Sequence, residues 1–269
     1  MPEGDTVHRS ARVLRDGLQG RTLQRLFVRD RGDVEELAGR AVESVDAVGK
    51  HLLVRVAGGW TLRVHLGMHG RWVRRHVRQP MPARATAVLV VDDTAYVCER
   101  AFTAELMRTT AVPGHARLSR LGPDLLADPA DIREAVRRAR LPAHAGREVG
   151  DVLLDQRVAA GIGNVYKSEV LFECRVHPRT RMHDLPEERV ATLYETAARL
   201  MRLNLLTRRR TSVPLRRRPR PSSTRLWVYG RHGRPCLDCG TAGERFMQGD
   251  MNRSTWFCPR CQPGAGSEV

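Results

Sequence analysis

Two Cys-x-x-Cys pairs, Cys236-Leu237-Asp238-Cys239 and Cys258-Pro259-Arg260-Cys261, constrain this chain more than any other feature, and eighteen residues separate them. Each pair can place two thiolates on one metal ion, and the stretch between them has the length of a β-hairpin, which is the two-knuckle zinc pattern. Such a four-thiolate site is closed and structural, so a hairpin held by it must be presenting something. Arg234, Arg245 and Arg253 lie on or beside it, and arginine reaching phosphate is a common use of such a platform. A ribbon serving protein contacts is the alternative, disfavoured by the charge. Six cysteines also allow three disulfides. The start of the chain lacks a signal-peptide pattern, and no run reaches ~18 apolar residues, so the chain reads as cytosolic. Thiols stay reduced there, which favours metal. Cys98 and Cys174 are left over as ordinary buried thiols.

The 269 residues carry 46 Lys and Arg against 30 Asp and Glu, for a net charge of +16. Lysine occurs only at Lys50 and Lys167, so the excess is almost all arginine. This suits a GC-biased genome as well as a polyanionic partner, and alone it is weak evidence. The length allows a sizeable core in two domains, or in one with an appendage.

In chain order, Asp5 or Thr6 can cap a helix whose apolar positions Val7, Ala11, Leu14 and Leu18 recur at helical steps and stop at Gly20. Alternating runs then predict strands at Thr22 to Arg29, Ala41 to Val48, Leu52 to Val56 and Trp60 to Leu66, with Gly58-Gly59 marking a hairpin. A further hairpin pairs Ala87 to Val91 with Ala95 to Cys98 across Asp92-Asp93. Short antiparallel strands of this kind predict a sandwich with helices at its edges. Lys50, at a strand entrance, reads locally as solvated surface. Met68, bracketed by Gly67 and Gly70, fits either a wedge pushed into a DNA stack or a core filler.

After Leu121-Gly122-Pro123-Asp124 the pattern turns helical, with helices expected at Asp131 to Arg140, Val149 to Val158, Asn164 to Glu173 and Pro186 to Leu206. The Gly161-Ile162-Gly163 break ahead of Asn164 presents a helix N-terminus suited to a phosphate, though a plain tight turn looks the same. From Thr207 to Arg225 the chain is rich in arginine, proline, serine and threonine and reads as a basic loop, an arm over nucleic acid or a solvated linker.

The first residues acquire meaning against this background. A small second residue permits removal of Met1, leaving Pro2 with a secondary amine whose ordinary pKa, near ~8, keeps a useful fraction unprotonated at neutral pH. Such an amine can attack a sugar C1′ and form an iminium ion, an electron sink. Glu3 beside it can move protons. Taken alone, Met-Pro-Glu is a polar turn.

The order of motifs resembles the formamidopyrimidine-DNA glycosylase and endonuclease VIII family over nearly the full length. The resemblance rests on Pro2-Glu3-Gly4, Val48-Gly49-Lys50-His51-Leu52, His65-Leu66-Gly67-Met68, Leu121-Gly122-Pro123-Asp124, Leu154-Asp155-Gln156-Arg157, Gly161-Ile162-Gly163-Asn164-Val165-Tyr166 and Val228-Tyr229-Gly230-Arg231. It implies an α+β fold: an N-terminal β-sandwich with flanking helices over 1–118, a linker over 119–129 and a helix-two-turn-helix domain over 130–206. A basic loop over 207–225, a zinc β-hairpin over 226–262 and a tail over 263–269 complete it. The implied protein is a monomer at the nucleoid, binding damaged DNA, duplex or single-stranded, with one structural zinc held by Cys236, Cys239, Cys258 and Cys261.

By match, Pro2 is the Schiff-base nucleophile, Glu3 the general acid and base, and Lys50 the lysine near the reacting nucleotide. Asn164 and Arg253 contact phosphates, and Met68 fills the stack vacated by a flipped base. The implied activity is excision of an oxidised base followed by β- and δ-elimination. In purine-directed relatives an arginine and a phenylalanine join the methionine, and Arg100-Ala101-Phe102 offers that spacing. The composition of 207–225 departs from the loop that covers 8-oxoguanine in those relatives, and Pro2 to Val7 looks like the actinobacterial endonuclease VIII branch. Oxidised pyrimidines are therefore the expected substrates, formamidopyrimidine and 8-oxoguanine the alternative. A binding protein for damaged DNA that does not cut it is a third reading.

Overall fold

The computed structural model describes residues 1–207, 209–214 and 224–264, and divides into two compact units, Met1–Arg120 and Leu121–Val269. Helix α1, Gly4–Leu18, opens the first unit. It starts earlier than a cap at Asp5 or Thr6 would allow. Glu3 is the N-cap, its carbonyl accepting from the amides of Thr6 and Val7. Val7, Ala11, Leu14 and Leu18 form its buried face, as their spacing requires.

Two antiparallel sheets follow. One has the order β3 (Val42–Val48), β4 (His51–Val56), β5 (Trp60–His65), β9 (Thr103–Arg108). The other has the order β2 (Gly32–Asp33), β1 (Arg25–Val28), β7 (Ala85–Val91), β8 (Thr94–Glu99), β6 (Arg71–His76). Alternate residues such as Leu52, Val54, Leu62 and Val64 meet Leu26, Val28, Leu89 and Cys98 in one core, which α1 helps to close. Strand β7 is buried throughout, and apolar but for Thr86, because both its faces are covered: Val88 and Val90 pack with Ala95, Val97 and Phe27 outside that core.

Among its described residues the second unit has four α-helices, α2 (Ile132–Ala139), α3 (Val149–Leu154), α4 (Asn164–Glu173) and α5 (Glu187–Leu203). Their core includes Leu125, Val149, Leu153, Tyr166, Val170, Leu193 and Met201. Helix α3 stops short of the expected Val158. The Gln156 side-chain amide donates instead to the carbonyls of Leu154 and Ile162, at 2.7 and 3.0 Å, and its oxygen accepts from the Gly161 amide at 3.2 Å. Gln156 thus staples the turn that leads into α4. The hairpin of β10 (Glu244–Gln248) and β11 (Arg253–Phe257) follows, and its knuckles pack on Phe172 and Trp227, whose rings stack at 5.3 Å.

Glu169, buried in α4, holds the surrounding chain. Its carboxylate accepts from the amides of Trp227, Val228 and Tyr229 at 2.7, 3.0 and 2.8 Å, and from the Ser212 hydroxyl. Burial raises its pKa, and these donors work against that rise. Between its partners lies most of the basic stretch expected over 207–225, of which 208 and 215–223 are outside the described residues, as are 265–269 of the tail. No helix among the described residues is long and apolar enough to cross a membrane.

Candidate active site and metal centre

Pro2 is half-buried and immediately precedes Glu3, which is 0% exposed at the start of α1. A carboxyl group so placed sits at the positive end of a helix, the end that favours negative charge. Met1 remains accessible, at 41% exposure. Lys50 occupies the two-residue turn between β3 and β4, where Val48 pairs with His51. Gly49 supplies the positive φ, 57°, that the first position of such a turn needs.

Met68 stands on a small loop closed by a hydrogen bond from the Gly70 amide to the Leu66 carbonyl, at 3.0 Å. Both glycines are required there. A Cβ on Gly70 would lie 2.3 Å from the Leu66 carbonyl oxygen, and one on Gly67, at φ +66°, would lie 2.7 Å from the Phe102 Cβ. The methionine loop and Phe102 therefore abut. Both apolar side chains face solvent, Met68 at 54% and Phe102 at 69%. Arg100, also exposed, has a φ of +53°, a left-handed conformation that a non-glycine residue adopts only when its surroundings hold it.

In the second unit Asn164 and the hairpin are tied together. The Asn164 amide donates to the Ser254 carbonyl at 2.7 Å, next to Arg253, and its nitrogen carries a second hydrogen. Deeper in, Lys167, wholly buried, donates to the Thr255 hydroxyl at 2.6 Å, which donates to the Gln248 side chain at 2.7 Å. Gln248 in turn donates to Glu148 at 2.8 Å and to the Pro178 carbonyl at 2.9 Å. One polar chain thus fixes the hairpin against α4 and the start of α3.

A cavity of about 670 Å³ opens beside it, lined by Arg147, Arg157, Arg181 and Arg253 together with acidic residues. Asp155 engages Arg147 and Arg157, at 3.1 and 2.7 Å. Burial opposes its ionisation, but the arginine hydrogen bonds prevail and hold its pKa below the usual range. Arg253 has no carboxylate partner among the described residues.

The four cysteines converge. Their sulfurs all lie within 4.8 Å of one another, with Cys236 and Cys261 at 3.9 Å and Cys239 and Cys258 at 3.5 Å. Tetrahedral zinc thiolates at ~2.3 Å put sulfurs about 3.8 Å apart, whereas a disulfide needs about 2.05 Å. The cluster therefore fits a metal ion and not a pair of disulfides. The Arg175 guanidinium pairs with Asp238 inside the first knuckle and lies over Phe172, bringing positive charge to a thiolate-rich site. Of these residues, reading the sequence gave no role to Gln156, Lys167, Glu169 or Gln248. Gln156 had a signal as part of the Leu154-Asp155-Gln156-Arg157 motif, and Lys167 as one of two lysines in an arginine-rich chain; Glu169 and Gln248 had none.

Comparison with known proteins matches the formamidopyrimidine-DNA glycosylase N-terminal domain to residues 1–104 and the corresponding helix-two-turn-helix domain to residues 121–213. A probable endonuclease 8 of Streptomyces coelicolor is 41% identical over 98% of this chain and 95% of its own length. A DNA-(apurinic or apyrimidinic site) lyase of Mycolicibacterium smegmatis is 38% identical over 97% and 99%. Among solved structures, the Lactococcus lactis Fpg in complex with abasic-site DNA superposes with a TM-score of 0.80 at 22% identity, covering 98% of this chain and all of that one. With relatives of this identity running almost end to end, the chain belongs to the formamidopyrimidine-DNA glycosylase and endonuclease 8 family.

Proposed function

We propose that the protein is a bifunctional DNA glycosylase and abasic-site lyase acting at the nucleoid, with Pro2 as nucleophile, Glu3 as acid and base, and oxidised pyrimidines as preferred substrates. The observation that carries this reading is the pairing at the start of the chain: a proline whose amine becomes available on loss of Met1, followed by a glutamate wholly buried at a helix N-terminus. The Pro2 nitrogen bonds to C1′ of the damaged nucleotide as the glycosidic bond breaks, and the proton that the nitrogen sheds balances the one that the departing base takes up. Glu3 gives a proton to the sugar ring oxygen, and the ring opens to an iminium. The iminium then accepts the electrons released when a C2′ proton is lost, so the 3′ phosphate leaves, and a second elimination expels the 5′ phosphate.

Lys50 serves the reacting nucleotide, Met68 fills the emptied stack, and Asn164 and Arg253 hold the backbone phosphates. Support for the last comes from Arg253, which has no carboxylate partner among the described residues and whose neighbour Ser254 is tied to Asn164 in the first turn of α4. In this reading the metal of the four-cysteine cluster is a single zinc, and the partner is damaged DNA, duplex or single-stranded.

One observation favours the alternative substrate class. Phe102 lies against the Met68 loop, and Arg100 is exposed two residues before it. That grouping is the one expected of purine-directed relatives. The two substrate readings, and the non-cutting one, separate in one experiment: borohydride trapping on matched oligonucleotides bearing an abasic site, an oxidised pyrimidine or 8-oxoguanine, with peptide mapping of the adduct. A Pro2 adduct with the oxidised pyrimidine is the expected result. An adduct only with 8-oxoguanine moves the protein to the purine-directed branch. No adduct, despite tight binding and intact-mass proof that Met1 is gone, makes it a damage-binding protein.

A further inference from the structure

The outer face of the four-stranded sheet carries a polar cluster that a sandwich would ordinarily leave in water. Arg63, on β5, is 3% exposed. Its guanidinium donates to Glu105 on β9 through Nε and a terminal nitrogen, at 3.0 and 2.7 Å, and to Nδ1 of His51 on β4 at 2.9 Å. Arginine has no acceptor, so His51 Nδ1 must be the acceptor, and its ring proton is on Nε2. The His115 ring lies 3.4 Å from Glu105, and the His51 ring centre lies 4.9 Å from that of its cross-strand partner His65. Burial is the main reason that both imidazoles stay neutral. Next in weight are, for His51, the repulsion it would meet from a protonated His65 and, for His65, the charge of Lys50, with Arg63 and Arg117 adding to each.

Position gives this cluster its meaning. His51 closes the turn that carries Lys50, and His65 leads into the loop that carries Met68. A buried ion pair is a poor source of stability compared with well-packed apolar residues. An ordered guanidinium under the root of a functional turn does what apolar packing cannot: it fixes which nitrogen of a neutral imidazole bears the proton and how the ring is turned.

We infer that Arg63 is a positioning residue for Lys50, acting through its hydrogen bond to His51 at the base of the Gly49-Lys50 turn. The inference rests on the role proposed above for Lys50.

The test is a double-mutant cycle with a spectroscopic arm, all on the full chain. Arg63→Met, Lys50→Met and the double variant are assayed for single-turnover excision on the duplex that the trapping experiment selects, and histidine-labelled protein is read by ¹⁵N NMR for the His51 tautomer. Misplacing a reacting group by an ångström can cost on the order of 100-fold. A loss of that order is expected for Arg63→Met alone, with no further loss when it is added to Lys50→Met, and with the His51 Nε2–H tautomer no longer dominant. Equal losses in both backgrounds, or an unchanged tautomer, overturn the inference. Should Arg63→Met not fold, Arg63→Lys, which keeps the charge but lacks the planar fork, goes through the same cycle with the same expectations. If Lys50→Met keeps the full rate, the reading of Lys50 has failed, and the tautomer still decides whether Arg63 orders His51.

Discussion

At the scale of single residues, the proposed chemistry divides between a nitrogen and a carboxyl group that are neighbours in sequence, and the division can be tested. Formation of the iminium needs an amine at the new terminus, which glycine also supplies. Pro2→Gly is therefore expected to keep part of the abasic-site lyase activity through a primary amine, an imine once formed being able to accept the electrons of elimination. Glu3→Gln keeps the shape of the buried side chain but cannot donate or accept the same proton. Since base departure leans on that proton more than elimination from an already open sugar does, excision should fall by ~10²- to 10⁴-fold while cleavage of a preformed abasic site falls much less. Assaying both steps on the same duplex checks this, and equal losses would remove the distinction between the two roles. Both residues were legible from the motif at the start of the chain. The burial of Glu3 was not, because a glutamate two residues after the initiator methionine reads as solvent-exposed until the helix that it caps is packed against a sheet.

At the scale of elements, period-two alternation located β1, β3, β4, β5, β7 and β8, but it passed over the two-residue β2, over β9 and over β6, the last with Arg71, Arg74, Arg75 and His76 leaving only Trp72 and Val73 to alternate. That strand is at the edge of its sheet, where charged side chains are tolerated and discourage edge-to-edge pairing. The same rule misread the outer face of the four-stranded sheet. His51, Arg63, His65 and Glu105 are at the positions that alternation assigns to water, yet Arg63 and His51 are buried. This face should make the fold acid-sensitive. The folded chain keeps His51 neutral down to about 3 and His65 down to about 4, against an ordinary value of 6.5. As pH falls below that value the unfolded chain takes up these protons first, so stability is complete above it and is lost on the way down. Each imidazole contributes up to about 1.4 kcal/mol per pH unit in that window. Urea unfolding at pH 7 and pH 5 should show a clear drop in midpoint, and His51→Gln, which keeps an acceptor for Arg63, should flatten it. A drop of the same size in His51→Gln would place the acid sensitivity elsewhere.

At the scale of the whole molecule, the two units depend on different things. The core of the first unit contains one cysteine, Cys98, and none of the four clustered thiols. The hairpin strands of the second bury only Phe257 among their apolar residues; Cys236 and Cys258 are themselves members of the small core built on Phe172, Val213, Trp227 and Val228. Without metal, the four sulfurs, all within 4.8 Å of one another, would take up protons and lose the ion that ties them together, and the knuckles would lose the constraint that seats them on α4. Arg253 and the Asn164 amide would then no longer be held by the Ser254 carbonyl and the chain from Lys167 to Gln248. Chelation, with metal loss confirmed by elemental analysis, is therefore expected to abolish specific DNA affinity and to lower the salt dependence of the residual binding by about 0.9 per lost phosphate contact. The melting of the sandwich, followed through Trp60 and Trp72 with Trp227 and Trp256 replaced by phenylalanine, should stay near its metal-bound value. Unchanged DNA affinity after verified metal loss would mean that the polar chain beneath the hairpin suffices to hold Arg253 in place, and would remove the metal from the account of binding.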